Sequence, residues 1–293
     1  MSKNILIVGL GLLGGSLAKA LQGSGYFRMG FTRSGEVRRC ALSDGAIEET
    51  ADAVALLLAK ADLVVLALPV EAAIAFLEEH AGEFKKGAVV TDVGSVKSAV
   101  VKTGQTLLHP KGVFFAGSHP MAGTEFSGYE HSFREMYDNA DVFVCPGELS
   151  ENAAPVQTVA QLWRTLGCRP HTIDAEVHDE LVARTSHALH VVSSAACISV
   201  LGVGPEAQKV RFEGCAGGFR DTSRIASSNP KMWSSIVRCN REEVLKALDS
   251  FQQELDCFRR YIETGDFTGF EEEFARGAAL REAWLSYRKD AGK

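Results

Sequence analysis

The chain has no CxxC pair, and its seven cysteines (Cys40, Cys145, Cys168, Cys197, Cys215, Cys239 and Cys257) are scattered singly. An odd count without paired spacing argues against a disulfide framework and against a zinc site, so no metal is expected. It fits a reducing cytoplasm, where such thiols serve as small core hydrophobes. Positive charge is also short: 31 Lys and Arg stand against 37 Asp and Glu, for a net charge of −6. No basic field is therefore available to hold nucleic acid or an anionic membrane surface. A local basic pocket for a small anion stays open. No apolar run has the length of a transmembrane helix. The stretch 5–21 is largely apolar, but its glycine spacing, Lys19 inside it and a strand starting near residue 4 oppose a signal peptide.

What is present fills two domains, since 293 residues are enough for two cores. Up to residue 174, short β-rich runs alternate with helical patterns. Strands are predicted at 4–8, 28–32, 62–68, 88–92, 113–117, 141–145 and 169–173, and a helix at 13–23. The run from Asp62 to Leu68 is continuously apolar after its first residue, the mark of a strand buried on both faces. This βαβ alternation predicts an α/β, Rossmann-type, doubly wound and mainly parallel sheet over 1–174.

From Ala175 the strand signals stop, and 175–293 reads as an all-α domain. Residues 176–201 form a long apolar stretch interrupted by His178, Ser186, His187 and His190. Asn229-Pro230 fits an N-cap followed by proline at the first helical position. Beyond it Val244, Leu248, Phe251, Leu255, Phe258 and Ile262 recur four and three residues apart, giving one apolar seam. The seam packs within its own domain or forms a dimer interface. In so small a helical domain, a homodimer is favoured.

The first strand runs into Gly9-Leu-Gly11-Leu-Leu-Gly14, a GxGxxG turn between a predicted strand and a predicted helix. That context marks a dinucleotide site. Gly9 permits the tight turn, Gly11 lets the backbone approach a pyrophosphate, and Gly14 allows close helix–strand packing. The helix start adds free N–H groups for the phosphates. Cofactor choice is read at the end of the second strand, where an NAD site usually carries a carboxylate on the ribose hydroxyls. Here the residues are Thr32-Arg33-Ser34, with no carboxylate before Glu36. Arg33 can pair with a 2′-phosphate and the two hydroxyls can donate to it, so NADP is expected ahead of NAD. The alternative is a solvated arginine and weak selectivity.

Ser95, in Val93-Gly-Ser-Val-Lys97, follows the strand at 88–92, at the end of the sheet where ligands bind. Its hydroxyl reaches substrate or nicotinamide, caps the next helix, or does both. His119 is placed just after the strand at 113–117, with no apolar periodicity to bury it. It is a general-base candidate because its ordinary pKa lies near neutrality. In the helical half, the paired glycines at Gly217 allow close backbone approach, and Arg220 and Arg224 suit carboxylates. Asp221 there also reads as a helix cap with the arginines in solvent. His187 and His190 share one face of an apolar helix, as a satisfied core pair or as part of a polar pocket.

Together these segments resemble the prephenate/arogenate (cyclohexadienyl) dehydrogenase family over nearly the whole chain. The resemblance rests on GLGLLGGS, LALPV, GSVK, HPMAGTE, SHALH and GGFRDTSRIASSNPKMW, in that order. It implies oxidative decarboxylation of prephenate to 4-hydroxyphenylpyruvate, or of arogenate to tyrosine. On its motif positions His119 would take the proton of the substrate ring hydroxyl, and Ser95 would bond the same hydroxyl. Arg224 would hold a substrate carboxylate, with His190, Gly217 and Trp233 lining the pocket. Glu125 would form a polar gate with Arg224 and Asp221. Leu12, Leu13, Leu68 and Pro69 would join the glycines around the cofactor. The length implies no fused chorismate mutase or regulatory domain, so tyrosine inhibition would act at the active site.

Within enzymes the rivals are a β-hydroxyacid dehydrogenase or an imine reductase, which share this domain plan. A β-hydroxyacid dehydrogenase would use an interdomain lysine, and no lysine lies between Ala175 and Leu201. A non-catalytic NADP-binding redox sensor would need neither His119 nor Arg224.

Overall fold

The computed structural model describes residues 3–124 and 126–290. Five strands, β1 (Lys3–Val8), β2 (Tyr26–Phe31), β3 (Leu63–Leu66), β4 (Val89–Asp92) and β5 (Phe114–Phe115), form a parallel sheet. Their order is β2-β1-β3-β4-β5. Helices α1 (Leu12–Ala20), α2 (Gly35–Ser43), α3 (Ala55–Leu58), α4 (Val70–His80) and α5 (Ser98–Leu108) lie between or beyond these strands in sequence.

The sheet is buried on both faces, and the alternation of side chains shows how. Ile5, Ile7, Leu63 and Val65 share one core with Leu17 of α1 and with Leu21 at its C-cap. Leu6, Val8, Val64 and Leu66 share the other with Leu57, Leu77 of α4 and Val100 of α5. A strand whose odd and even residues both meet helices must be apolar throughout, which is why 62–68 reads as an unbroken run.

The strand predicted at 113–117 is instead divided. Ala116 still donates to Val90 O at 3.0 Å. The chain then leaves the parallel sheet, and β6 (Gly117–Pro120) pairs antiparallel with β7 (Asp141–Cys145). Strand β7 pairs in parallel with β8 (Arg169–Thr172), after the crossover helix α6 (Ala154–Thr165). Gly117 permits the crossing: a Cβ there would sit 2.7 Å from Val101 Cγ2. The second sheet shares a core with α1 and α6 through Val142, Val144, Val159 and Trp163.

Asp174 caps α7 (Ala175–Val182), accepting from the N–H groups of Glu176 and Val177. A π-helical turn, Ala183–His187, joins α7 to α8 (Ala188–Leu201), so the stretch 176–201 is not one regular helix. Next come α9 (Pro205–Gly214), α10 (Gly217–Ser223) and α11 (Pro230–Cys239). Asn229 Oδ1 caps α11, accepting from Lys231 N at 3.0 Å and Met232 N at 3.2 Å. All of this belongs to a compact unit ending at Arg241.

A second unit, from Glu242, is a helical hairpin of α12 (Arg241–Thr264) and α13 (Phe267–Asp290). Within it Phe258 meets Phe270 edge-on at 5.5 Å, and Arg276 bridges to Glu254 at 3.0 Å. Of the predicted seam, Val244 is buried, whereas Phe251, Leu255 and Ile262 are exposed. No single helix among the described residues is long and apolar enough to cross a membrane.

Candidate active site

The glycine turn is built around backbone crowding. Gly9 has φ +96°, and a Cβ on it would lie 2.3 Å from the carbonyl oxygen of Ala67 and 3.0 Å from Leu68. A Cβ on Gly14 would lie 1.8 Å from Gly9 O. These two glycines let α1 and the end of β3 close upon the turn. Gly11 differs, because a Cβ there would meet nothing within 4 Å. It faces open space at the start of α1, where no side chain caps the helix and no acidic residue occupies the first turn. Leu12 and Leu13 form that turn, and Pro69, which follows Leu68, is the N-cap residue of α4. Uncapped N–H groups, a positive dipole end and a clear approach at Gly11 fit a dinucleotide pyrophosphate.

At the end of β2, Thr32 uses its carbonyl to accept from Arg38, and Arg38 pairs with Asp52 at 2.6 Å. Ser34 is the N-cap of α2, its oxygen accepting from Val37 N at 3.3 Å. Arg33 is exposed.

The chemistry-bearing residues gather beyond the carboxyl end of β4. Ser118 donates its N–H to Asp92 Oδ1 at 3.2 Å and its hydroxyl to Asp92 O at 2.6 Å. The next residue, His119, is thereby held beside the strand end. The sequence pattern predicts His119 just after a strand, with nothing to bury it. It lies inside β6 and is buried, because the chain switches sheets two residues earlier.

Its partner comes from α7, 59 residues further along the chain. His119 Nδ1 lies 2.9 Å from His178 Nε2, and His178 Nδ1 lies 2.8 Å from Asp179 Oδ1. Asp179 Oδ1 also accepts from Lys97 N at 2.7 Å, and Oδ2 from Ser98 N at 2.8 Å. The carboxylate thus serves as the missing cap of α5, whose own N-terminal residues supply none. Ser95 is not that cap, and it sits half-buried in the turn that Asp179 secures.

Beneath the turn, the Lys97 ammonium forms a buried ion pair with Asp92 and donates to Ser118 O at 2.9 Å. Burial, then the charges of His178, Lys97 and His187, hold the His119 pKa well below its ordinary value. Burial also lowers His178, against the opposing pull of Asp179. For Asp179, burial alone would raise the pKa, but hydrogen bonds from His178, Ser98 and Lys97 hold it below the usual range. The site at neutral pH is therefore a carboxylate and two neutral imidazoles.

The helical half supplies a second wall. His187 and His190 both rest on Trp233, the first edge-on at 5.8 Å and the second stacked at 3.6 Å. Burial pushes His187 down to about 4. Burial and the nearby Arg224 charge both lower His190, with its bond to Ser186 O opposing them. Arg224, at the end of α10, is exposed, as is Gly217 at its start. Asp221 pairs with Arg220 at 3.1 Å. Glu125 lies outside the described residues. Electrostatics thus link His119 to His187, and His190 to Arg224, with Trp233 touching both helical histidines.

Comparison with known proteins identifies the family. Residues 17–171 match the nucleotide-binding domain of prephenate dehydrogenase, and 174–276 match the prephenate dehydrogenase dimerization domain. The chain is 33% identical to the cyclohexadienyl dehydrogenase of Zymomonas mobilis over 96% of both chains. It is 35% identical to the prephenate dehydrogenase of Bacillus subtilis, over 99% of this chain and 78% of that one. It superposes at a TM-score of 0.87 on the A. aeolicus prephenate dehydrogenase solved with hydroxyphenyl propionate and NAD+. That match has 30% identity and covers 97% of this chain and 99% of the other. Two family domains in sequence, joined to near-complete coverage of these relatives, settle the assignment: the chain belongs to the prephenate dehydrogenase family.

Proposed function

We propose that this chain catalyses the NAD(P)-dependent oxidative decarboxylation of prephenate to 4-hydroxyphenylpyruvate, or of arogenate to tyrosine, in tyrosine biosynthesis. The observation that carries the chemistry is the buried, neutral His119 at the carboxyl end of the sheet that bears the glycine turn. The dinucleotide, when bound, accepts the hydride released from ring C4. His119 takes the proton of the C4 hydroxyl as general base. Ser95 hydrogen-bonds the same hydroxyl and orients it. Arg224 binds a substrate carboxylate, while His190, Trp233 and Gly217 line the pocket. Asp221 and Glu125 belong to its polar rim. Loss of the ring carboxylate yields an aromatic phenol, so the protein needs positioning and one base rather than an added electron sink.

Gly9, Gly11, Leu12, Leu13, Gly14, Leu68 and Pro69 form the cofactor crevice in this reading. NADP is the preferred form. The support is the exposed Arg33 guanidinium, a Ser34 hydroxyl whose hydrogen remains free to donate, and the lack of a carboxylate at Thr32-Arg33-Ser34. Residues 1–174 form the dinucleotide domain and 175–293 the helical substrate domain. The latter joins two copies into a cytoplasmic homodimer through apolar residues such as Phe251, Leu255 and Ile262, which one chain leaves exposed.

Initial rates for prephenate and arogenate, each with NAD and NADP, test this assignment. NADP-linked turnover of at least one of the two substrates is expected. No turnover with any of the four pairs would overturn it.

A further inference from the structure

We propose that Asp179 is the common positioning residue of the site, fixing the tautomer of His119 through His178 and fixing the Ser95 turn through the backbone of α5. The inference rests on the reading of His119 as the base, and it concerns how that base is prepared.

The argument is one of donors and acceptors. An ionised carboxylate only accepts. His178 Nδ1, 2.8 Å from Asp179 Oδ1, must therefore carry the hydrogen. A neutral imidazole has one N–H, so His178 Nε2 is left as an acceptor. His119 Nδ1 stands 2.9 Å from it and must be the donor. His119 Nε2 is then the nitrogen without a hydrogen, which is the form a general base requires. One buried carboxylate, two bonds away, decides this.

The same carboxylate accepts from Lys97 N and Ser98 N, so it also pins the turn two residues after Ser95. The Asp179 carbonyl accepts from Asn240 Nδ2 at 2.8 Å, and that amide nitrogen lies 3.2 Å from His187 Nδ1. An amide nitrogen only donates, so His187 takes the opposite tautomer, with its hydrogen on Nε2. The groups acting on His119 are His178 from α7, Lys97 from the β4–α5 turn and His187 from the π turn, with Asp179 behind His178 and Asp92 of β4 behind Lys97. Among them, only His178 bonds to the ring directly. The arrangement is analogous to the carboxylate that orients the imidazole of a serine-protease triad.

Kinetics of His178→Leu, His178→Gln, Asp179→Asn and His119→Asn, plus the double variant His119→Asn/His178→Leu, test the proposal. His178→Leu is expected to lower kcat by about 100-fold or more, with KM for the turned-over substrate changed less than about three-fold. His178→Gln keeps an amide oxygen to accept from His119 Nδ1 and should recover most of that loss, which a purely structural role would not predict. Because His178 acts through His119, the double variant should be no slower than His119→Asn alone. Asp179→Asn should lose more than His178→Leu, since it also frees the Ser95 turn.

Dinucleotide binding, followed by titration, should be unchanged in the His178 variants and reports that they are folded. If His119→Asn is slow while His178→Leu stays within three-fold of wild type, the proposal falls and the base stands. If the His119 and His178 losses multiply in the double variant, the proposal also falls. Equal losses in Asp179→Asn and His178→Leu would remove the Ser95 half. Wild-type turnover by His119→Asn would overturn the reading of the base itself.

Discussion

The imidazole of His190 lies flat on the indole of Trp233, with centroids 3.6 Å apart and planes 22° from parallel. His187 meets the same indole edge-on, at 74°. One aromatic plate from α11 therefore sets two histidines, one from the π turn and one from α8. The pair is not a solvent-facing ornament, because burial lowers the pKa of both rings. Trp233→Leu should remove the stack, worth about 0.5–1.5 kcal/mol. The expected result is a rise of roughly two- to ten-fold in KM for prephenate, with kcat nearly unchanged. Steady-state kinetics check it, and an unaltered KM would take Trp233 out of the pocket.

Arg224 is the cation whose charge reaches His190. If it holds a substrate carboxylate, Arg224→Gln deletes a charge-assisted hydrogen bond worth about 1.5–3 kcal/mol. KM for prephenate should then rise by roughly 10- to 100-fold, while dinucleotide affinity stays the same. Equal loss of both affinities would point to a structural role.

For His119→Asn, kcat should fall by about two orders of magnitude or more at little cost in KM. The acid limb of the wild-type rate profile should lie below the ordinary histidine value of about 6.5. Burial lowers the His119 pKa, with the neighbouring His178, Lys97 and His187 acting in the same direction. A limb at or above 6.5 would contradict the buried, neutral ring.

Much of this was legible in the chain because it is local. The glycine turn, the two-faced strand at 62–68 and the Asn229-Pro230 cap each depend on residues within one turn or one strand. What escaped was decided at long range. At the sheet switch Gly117 leaves no room for a Cβ beside Val101, and the switch puts His119 in a buried strand rather than a loop. His178 reads in the sequence only as an interruption of an apolar stretch, and Asp179 carries no reading there. Their partners lie 59 and 82 residues away, at His119 and Lys97, and no spacing rule joins them. One signal was available: a His-Asp pair amid apolar residues is costly to bury without partners, so partners were to be expected.

The proposed preference for NADP rests on Arg33. It is exposed at the end of β2, next to a Ser34 whose oxygen is engaged by Val37 N. Arg33→Ala should raise KM for NADP by about ten-fold or more, the scale of a lost charge-assisted bond. KM for NAD should change little. Parallel titration with both dinucleotides decides the matter, and a matched change would leave Arg33 without a role in selectivity.

The buried imidazoles also bear on stability. His119, His178 and His187 all have folded-state pKa values below the ordinary histidine value, with His187 at about 4. In the unfolded chain the same rings take up protons near pH 6.5. Between those limits the unfolded state binds more protons, so stability rises with pH. Their contribution is complete above about pH 6.5 and is lost as pH falls toward the folded values. Three such groups give a slope of up to about 4 kcal/mol per pH unit. Asp179 adds a later loss, because its depressed pKa confines its effect to pH below the usual carboxylate range. Urea midpoints measured at pH 7, 6 and 5 should therefore fall progressively, and His187→Gln should flatten the fall by about one proton's worth. Midpoints that stay level from pH 7 to 5 would mean these rings are solvated and already free to ionise.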